Sequence, residues 1–140
     1  MADGFTVEVD TRKLEQIIQS LPKGAQDLLA AIATEMVADI QLSMGTSPPG
    51  IAYTRGNVTH VASLPGYPPT PDTGELRASI THRQTGKLER IIHDQTEYGA
   101  AQEFGVEELN LEARPFMRPV FEDWRTKKFG QFVDDYPLIP

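Results

Sequence analysis

Residues 25–44 carry apolar side chains at Ala25, Leu28, Leu29, Ile32, Met36, Val37, Ile40 and Met44. Steps of three and four over about twenty residues place them along one side of a helix, with Gln26, Asp27, Glu35, Asp39 and Gln41 mostly off that stripe. Gly45 supplies a stop, since glycine readily takes the left-handed conformation that ends helices. A stripe of this width reads as a core face. A chain of 140 residues suits one domain, 1–140, built around one modest core.

Immediately after this helix the composition changes. Residues 45–71 contain six Pro and four Gly and no Asp or Glu, which excludes a long helix and predicts a mobile loop. The stretch also holds Tyr53, Val58, Val61, Leu64 and Tyr67. These side chains give it something to bury, so the sharper expectation is an arm that orders on a partner, with those five residues as candidate assembly-interface positions. A Pro-x-x-Pro spacing, PPTP, is a weaker signal for docking in an aromatic groove.

Around these two features the remaining elements are short. FTVEV at 5–9 alternates as a strand, and Leu14, Ile17, Ile18 and Leu21 carry a helical spacing. Residues 72–79 read as a helix start, with Asp72 or Thr73 as its cap and Glu75 in its first turn. SITHRQ and LERIIHD flank Thr85-Gly86-Lys87 as a hairpin. A three-residue loop places Ile80, Leu88 and Ile92 on one face, and a two-residue loop pairs Ile80 with Ile91. EYGAAQEFG reads as a short helix or turn ending at Gly105. Residues 97–112 carry Glu97, Glu103, Glu107, Glu108 and Glu112 and no basic residue, the pattern of a solvated edge, or of a face toward a lumen or a basic partner. Arg114-Pro115 opens a last helix with a stripe of Met117, Val120, Phe121, Trp124, Lys128 and Phe132, which Phe129 extends sideways.

Charge and residue chemistry narrow the functions. The net charge is −7, and the densest basic group, Arg125, Lys127 and Lys128, sits beside Glu122 and Asp123. Phosphates are repelled by such a chain, so no specific nucleic-acid binding is expected. The absence of cysteine removes disulfides, thiolate metal sites and cysteine nucleophiles. No apolar run has the length of a membrane span and the start lacks a signal-peptide pattern, so a soluble protein made in the cytoplasm is expected, with no membrane partner.

Asp72-Thr73-Gly74 matches the active-site triplet of aspartic proteases, which would make Asp72 half of a carboxylate dyad. That chemistry requires the triplet in a loop after an apolar strand and a second such loop. Here prolines precede it and helix-favouring residues follow, so the capping reading is preferred over a peptidase. His60, His82 and His93 lack metal-site spacing, although His82 and His93 approach each other if the hairpin forms. No catalytic residue, metal or cofactor is expected.

Three segments, in order, carry a resemblance. They are YPPTPDTGELRASI, EYGAAQEFG and ARPFMRPVFEDW. Their positions are Asp72, Thr73, Gly74, Leu76, Ser79 and Ile80; then Tyr98, Glu103, Phe104 and Gly105; then Arg114, Pro115, Phe116 and Pro119. Together they resemble the tail-completion, or minor tail, family of head–tail joining proteins in long-tailed bacteriophages and prophages. The segment after Gly105, VEELNLEA, departs from the threonine and more neutral loop of many relatives. The resemblance implies an α+β fold, a long helix packed across a small antiparallel sheet, with a C-terminal helix and the long Pro/Gly-rich loop. It implies a structural virion role without catalysis, at the head-proximal end of the tail or in the neck. The implied partners are other phage tail and neck proteins and further copies in a ring, with DNA passing nearby. The implied location is the virion, and the host cytoplasm during assembly. A tail-terminator or head-closure subunit is the alternative within the same particle.

Overall fold

Helix α1 (Pro22–Ser43) turns Ile32 and Ile40 inward, and Met44 follows them into the core just past its end. Leu28, Met36 and Val37 pack against that core from the same helix. The structure, a computed structural model, describes residues 22–136 and Arg12. The strand expected at 5–9 and the helix expected through Leu14, Ile17, Ile18 and Leu21 lie outside the described residues.

Among the described residues two layers cover α1. One is an antiparallel ribbon of β3 (Thr81–Gly86) and β4 (Glu89–His93), and the other is a C-terminal helical run. The architecture is therefore α+β, with a long helix against a small antiparallel sheet. Among the described residues the sheet is smaller than a continuous one: β1 (Pro49–Arg55) pairs only with β2 (Val58–Ser63), and β3 only with β4. An isolated two-stranded ribbon is marginal in water, so each depends on what it leans against.

The β3–β4 ribbon leans on α1. His82 faces Ile92 across the ribbon, and Lys87 and Leu88 alone lie between the strands. The turn is thus the two-residue one, yet Ile80 and Ile92 share the core as the three-residue alternative required. The pairing slips between Gln84 and Gly86, so Thr85 is the extra residue that reconciles the two. His82 pins the ribbon to α1. Its Nδ1 accepts from Arg90 Nε at 3.0 Å, which leaves Nε2–H to donate to Thr34 Oγ1 at 3.0 Å. Thr34 in turn donates to the Ala30 carbonyl at 2.9 Å. Burial, then the Arg90 charge, pushes the His82 pKa down. His93 instead lies opposite Thr81 and meets its hydroxyl at 3.2 Å, so the two histidines do not form a pair.

The polar residues off the α1 stripe also fasten neighbours. Gln26 Nε2 donates to the Lys87 carbonyl at 3.0 Å, and Gln41 Nε2 to the Arg77 carbonyl at 3.0 Å at the end of the short helix α2 (Glu75–Ser79). Asp39 Oδ2 accepts from both Trp124 Nε1 and Lys128 Nζ, each at 2.8 Å. The hydrogen bond to Asp39 holds the Lys128 ammonium above its ordinary range despite partial burial.

The C-terminal run, α4 (118–135), is not uniform. Arg118–Asp123 and Phe129–Asp135 are α-helical, and Trp124–Lys128 between them is a π-turn. Val120 and Trp124 are buried and Phe132 and Val133 pack beside them, while Phe121 and Phe129 remain exposed. The helix begins at Arg118, not at Arg114-Pro115 as the sequence suggests. Its first amides are taken by a carboxylate from elsewhere in the chain, described below.

Candidate functional site

The stretch 45–71 contains a β-hairpin, which corrects the expectation of an irregular loop throughout. Its prolines sit at the two ends, at 48–49 and from 65 onward, leaving 50–64 free to pair. Arg55-Gly56-Asn57-Val58 closes the tip, with Gly56 at φ +61°, where a side chain would be strained. Pairing aligns Ala52 with Val61, Tyr53 with His60, Thr54 with Thr59 and Arg55 with Val58. Directly paired residues share a face. One face therefore carries Tyr53, His60, Arg55 and Val58, and the other Ala52, Val61, Thr54 and Thr59.

This arm is fastened at its base. Leu64 N–H donates to the Pro48 carbonyl at 3.0 Å, Ser47 Oγ to the Pro68 carbonyl at 2.6 Å, and Gly66 N–H to the Ala113 carbonyl at 2.8 Å. Arg114 Nε donates to the Ser63 carbonyl at 3.1 Å. Toward the tip, among the described residues, there is a single catch. Arg55 forms an ion pair with Asp72, and His60 Nδ1 lies 3.6 Å from the same carboxylate. The Arg55 guanidinium also stands over the Tyr53 ring at 5.4 Å, and Tyr53 meets His60 edge-on at 5.2 Å. Between arm and body lies an open cleft of about 550 Å³, lined by Ile51, Tyr53, Asp72, Tyr98 and Arg114 among others.

Asp72 is consequently not a helix cap. The helix starts at Glu75 after Gly74 at φ +82°, and the Thr73 hydroxyl accepts from the Glu75 amide at 3.3 Å. Nor does Asp72 form a carboxylate dyad, because its partner is a guanidinium. Among the described residues no group of His, Asp and Glu is arranged to hold a metal ion. Arg55 is 63% exposed, and such ion pairs contribute only about 0.2–1 kcal/mol. Asp72→Asn is therefore expected to leave the thermal transition nearly unchanged while hydrogen exchange of the 51–62 amides accelerates. Unchanged exchange in that variant would show that Asp72 does not hold the arm.

The second and third motif segments build the support for this arm. Glu103, on helix α3 (Gly99–Phe104), turns inward from the acidic run and accepts from the amides of Phe116, Met117 and Arg118 at 2.7, 3.0 and 2.9 Å. It caps α4 from a distance and sets Phe116 in the core, with Pro119 in the helix's first turn. Gly105 permits the close passage of 111–113: a Cβ there would stand 2.7 Å from the Leu111 carbonyl oxygen, and its φ is +73°. Arg114 reaches the arm base while its own amide donates to the Gln102 carbonyl at 2.6 Å. Tyr98 Oη donates to Glu75 Oε2 at 3.3 Å, and burial followed by that carboxylate raises its pKa. Leu76 and Ile80 are in the core, and Ser79 Oγ donates to Asp94 at 2.8 Å.

All five candidate interface residues, Tyr53, Val58, Val61, Leu64 and Tyr67, are exposed. Sequence reasoning missed Ile51 in the same arm, 79% exposed, and the cleft-facing pair Arg55 and His60. The alternation Ile51, Tyr53, Arg55 was the available signal. It also missed Leu109, exposed within the acidic run. No protein-family model matches the chain, and no curated protein or solved structure matches it.

Proposed function

We propose that this chain is a structural virion protein of a tailed phage or prophage, completing the head-proximal end of the tail or joining head to tail. The observation that carries the reading is the arm: a ribbon exposing apolar side chains on both faces and fixed to the body chiefly at its base. The three motif segments that resemble the tail-completion family converge on that arm, through Asp72 at its catch and Arg114 at its base, with Glu103 organising the segment that carries Arg114. A ribbon of this kind has little reason to expose Ile51, Val58 and Val61 unless a neighbour covers them. Its partners are other tail and neck proteins and further copies of the chain in a ring, with no specific contact to the DNA passing nearby. No helix among the described residues is long and apolar enough to cross a membrane.

The test replaces 50–62 with a short Gly/Ser linker in the encoding phage or prophage. The helical circular-dichroism signal and the thermal transition of the purified variant are expected to stay close to those of the parent. Lysates are expected to contain separate heads and tails. Joined, infectious particles would overturn the role of the arm. Micrographs of particles lacking the whole protein separate tail completion from head closure, since the second leaves DNA-leaking heads.

A further inference from the structure

The arm needs a receiving surface, and the molecule displays a candidate in the turn that precedes the arm-base segment, apart from the Asp72 catch itself. Phe104 is 77% and Leu109 74% exposed, in a compact turn closed by the Val106–Leu111 bridge. Gly105 and the left-handed Asn110 (φ 50°) shape this turn, so its two large apolar side chains are presented by a defined backbone. Glu107, Glu108 and Glu112 surround them, all exposed, and residues 104–112 contain no Lys or Arg. The arm is the complement. Residues 45–71 contain Arg55 and His60 and no Asp or Glu, with Val58 exposed on the same face and Ile51 exposed beside them on the cleft side.

Resting on the reading of the arm as an assembly element, we infer that the arm of one copy docks on the Phe104–Glu112 turn of a second copy. Apolar side chains of the arm cover Phe104 and Leu109, while Arg55 trades Asp72 of its own chain for the glutamates of the neighbour. Asp72 is then the internal competitor that keeps the arm home until a neighbour is in place. Donor and acceptor are different surfaces of the same chain. The contact therefore propagates head to tail and closes into a ring, or is exchanged reciprocally between two copies. Its ionic part is screened by salt, so docking weakens as ionic strength rises.

The chain has no cysteine, so introduced thiols report without interference. Val58→Cys and Leu109→Cys proteins, one of them isotopically labelled, are mixed at high concentration and treated with a short bismaleimide. A docked pair holds its thiols at millimolar effective concentration, so the mixed Val58–Leu109 dimer is expected to exceed either self-linked dimer by about 10-fold. Adding Glu107→Lys and Glu108→Lys to the Leu109→Cys protein is expected to remove that excess. Equal yields of mixed and self-linked dimers, no mixed dimer, or indifference to the lysine substitutions would each overturn the inference. Should the arm replacement still block head–tail joining in that event, the functional reading stands and only the acceptor is wrong.

Discussion

Trp124→Ala is expected to lower stability by about 3–5 kcal/mol, enough to unfold or nearly unfold so small a domain. Trp124 is 4% exposed, its ring lies 5.6 Å from that of Phe132, and its indole N–H is bound to Asp39 of α1. Truncation opens a cavity between α1 and α4 and leaves Asp39 with Lys128 as its remaining partner there. Trp124→Phe keeps most of the ring packing and loses the hydrogen bond, so its cost is expected to be clearly smaller. Chemical denaturation followed at the helical circular-dichroism band gives both values. A loss below about 1 kcal/mol for the alanine variant would contradict the packing of α4 described here.

Glu103→Ala is expected to cost roughly 2–3 kcal/mol, because one carboxylate satisfies three consecutive amides at the start of α4. The glutamine variant keeps an acceptor oxygen and is expected to fall between. Glu107→Ala, an exposed acid of the same run, is expected to stay within about 0.5 kcal/mol of the parent. Equal effects at 103 and 107 in a denaturation series would mean that the carboxylate does not organise the helix start.

These two residues also mark what the sequence shows and what it hides. The α1 stripe was legible because its apolar spacing is long and regular; Ile32, Ile40 and Met44 are where periodicity puts them. The fold class followed, as did the β3–β4 hairpin. Glu103 was hidden, since five acids in sixteen residues look alike until one meets three amides thirteen to fifteen positions away. The arm was hidden by averaging. Proline content over 45–71 excludes regular structure only if the prolines are spread evenly, and they are not. At Asp72, local grammar favoured a cap, while the partner that decides its role, Arg55, comes from a ribbon that was not anticipated. The meeting of the Trp124 and Phe132 rings has a geometric cause. Trp124 and Phe132 lie eight residues apart, about 80° out of line in a regular α-helix and only about 20° once a π-turn absorbs one residue.

The arm's attachment makes it a lever. The bonds to the 111–114 segment sit at one end, at Ser63 and Gly66, and among the described residues only the Asp72 carboxylate restrains the other. A seven-residue strand is about 23 Å long, so pivoting by about 10° at the base carries the tip about 4 Å. That displacement exceeds what an ion pair tolerates, so a small twist of the 111–114 segment beneath the base suffices to disengage the far end. In that geometry, strain applied near Ala113 is converted into release of a distant tip.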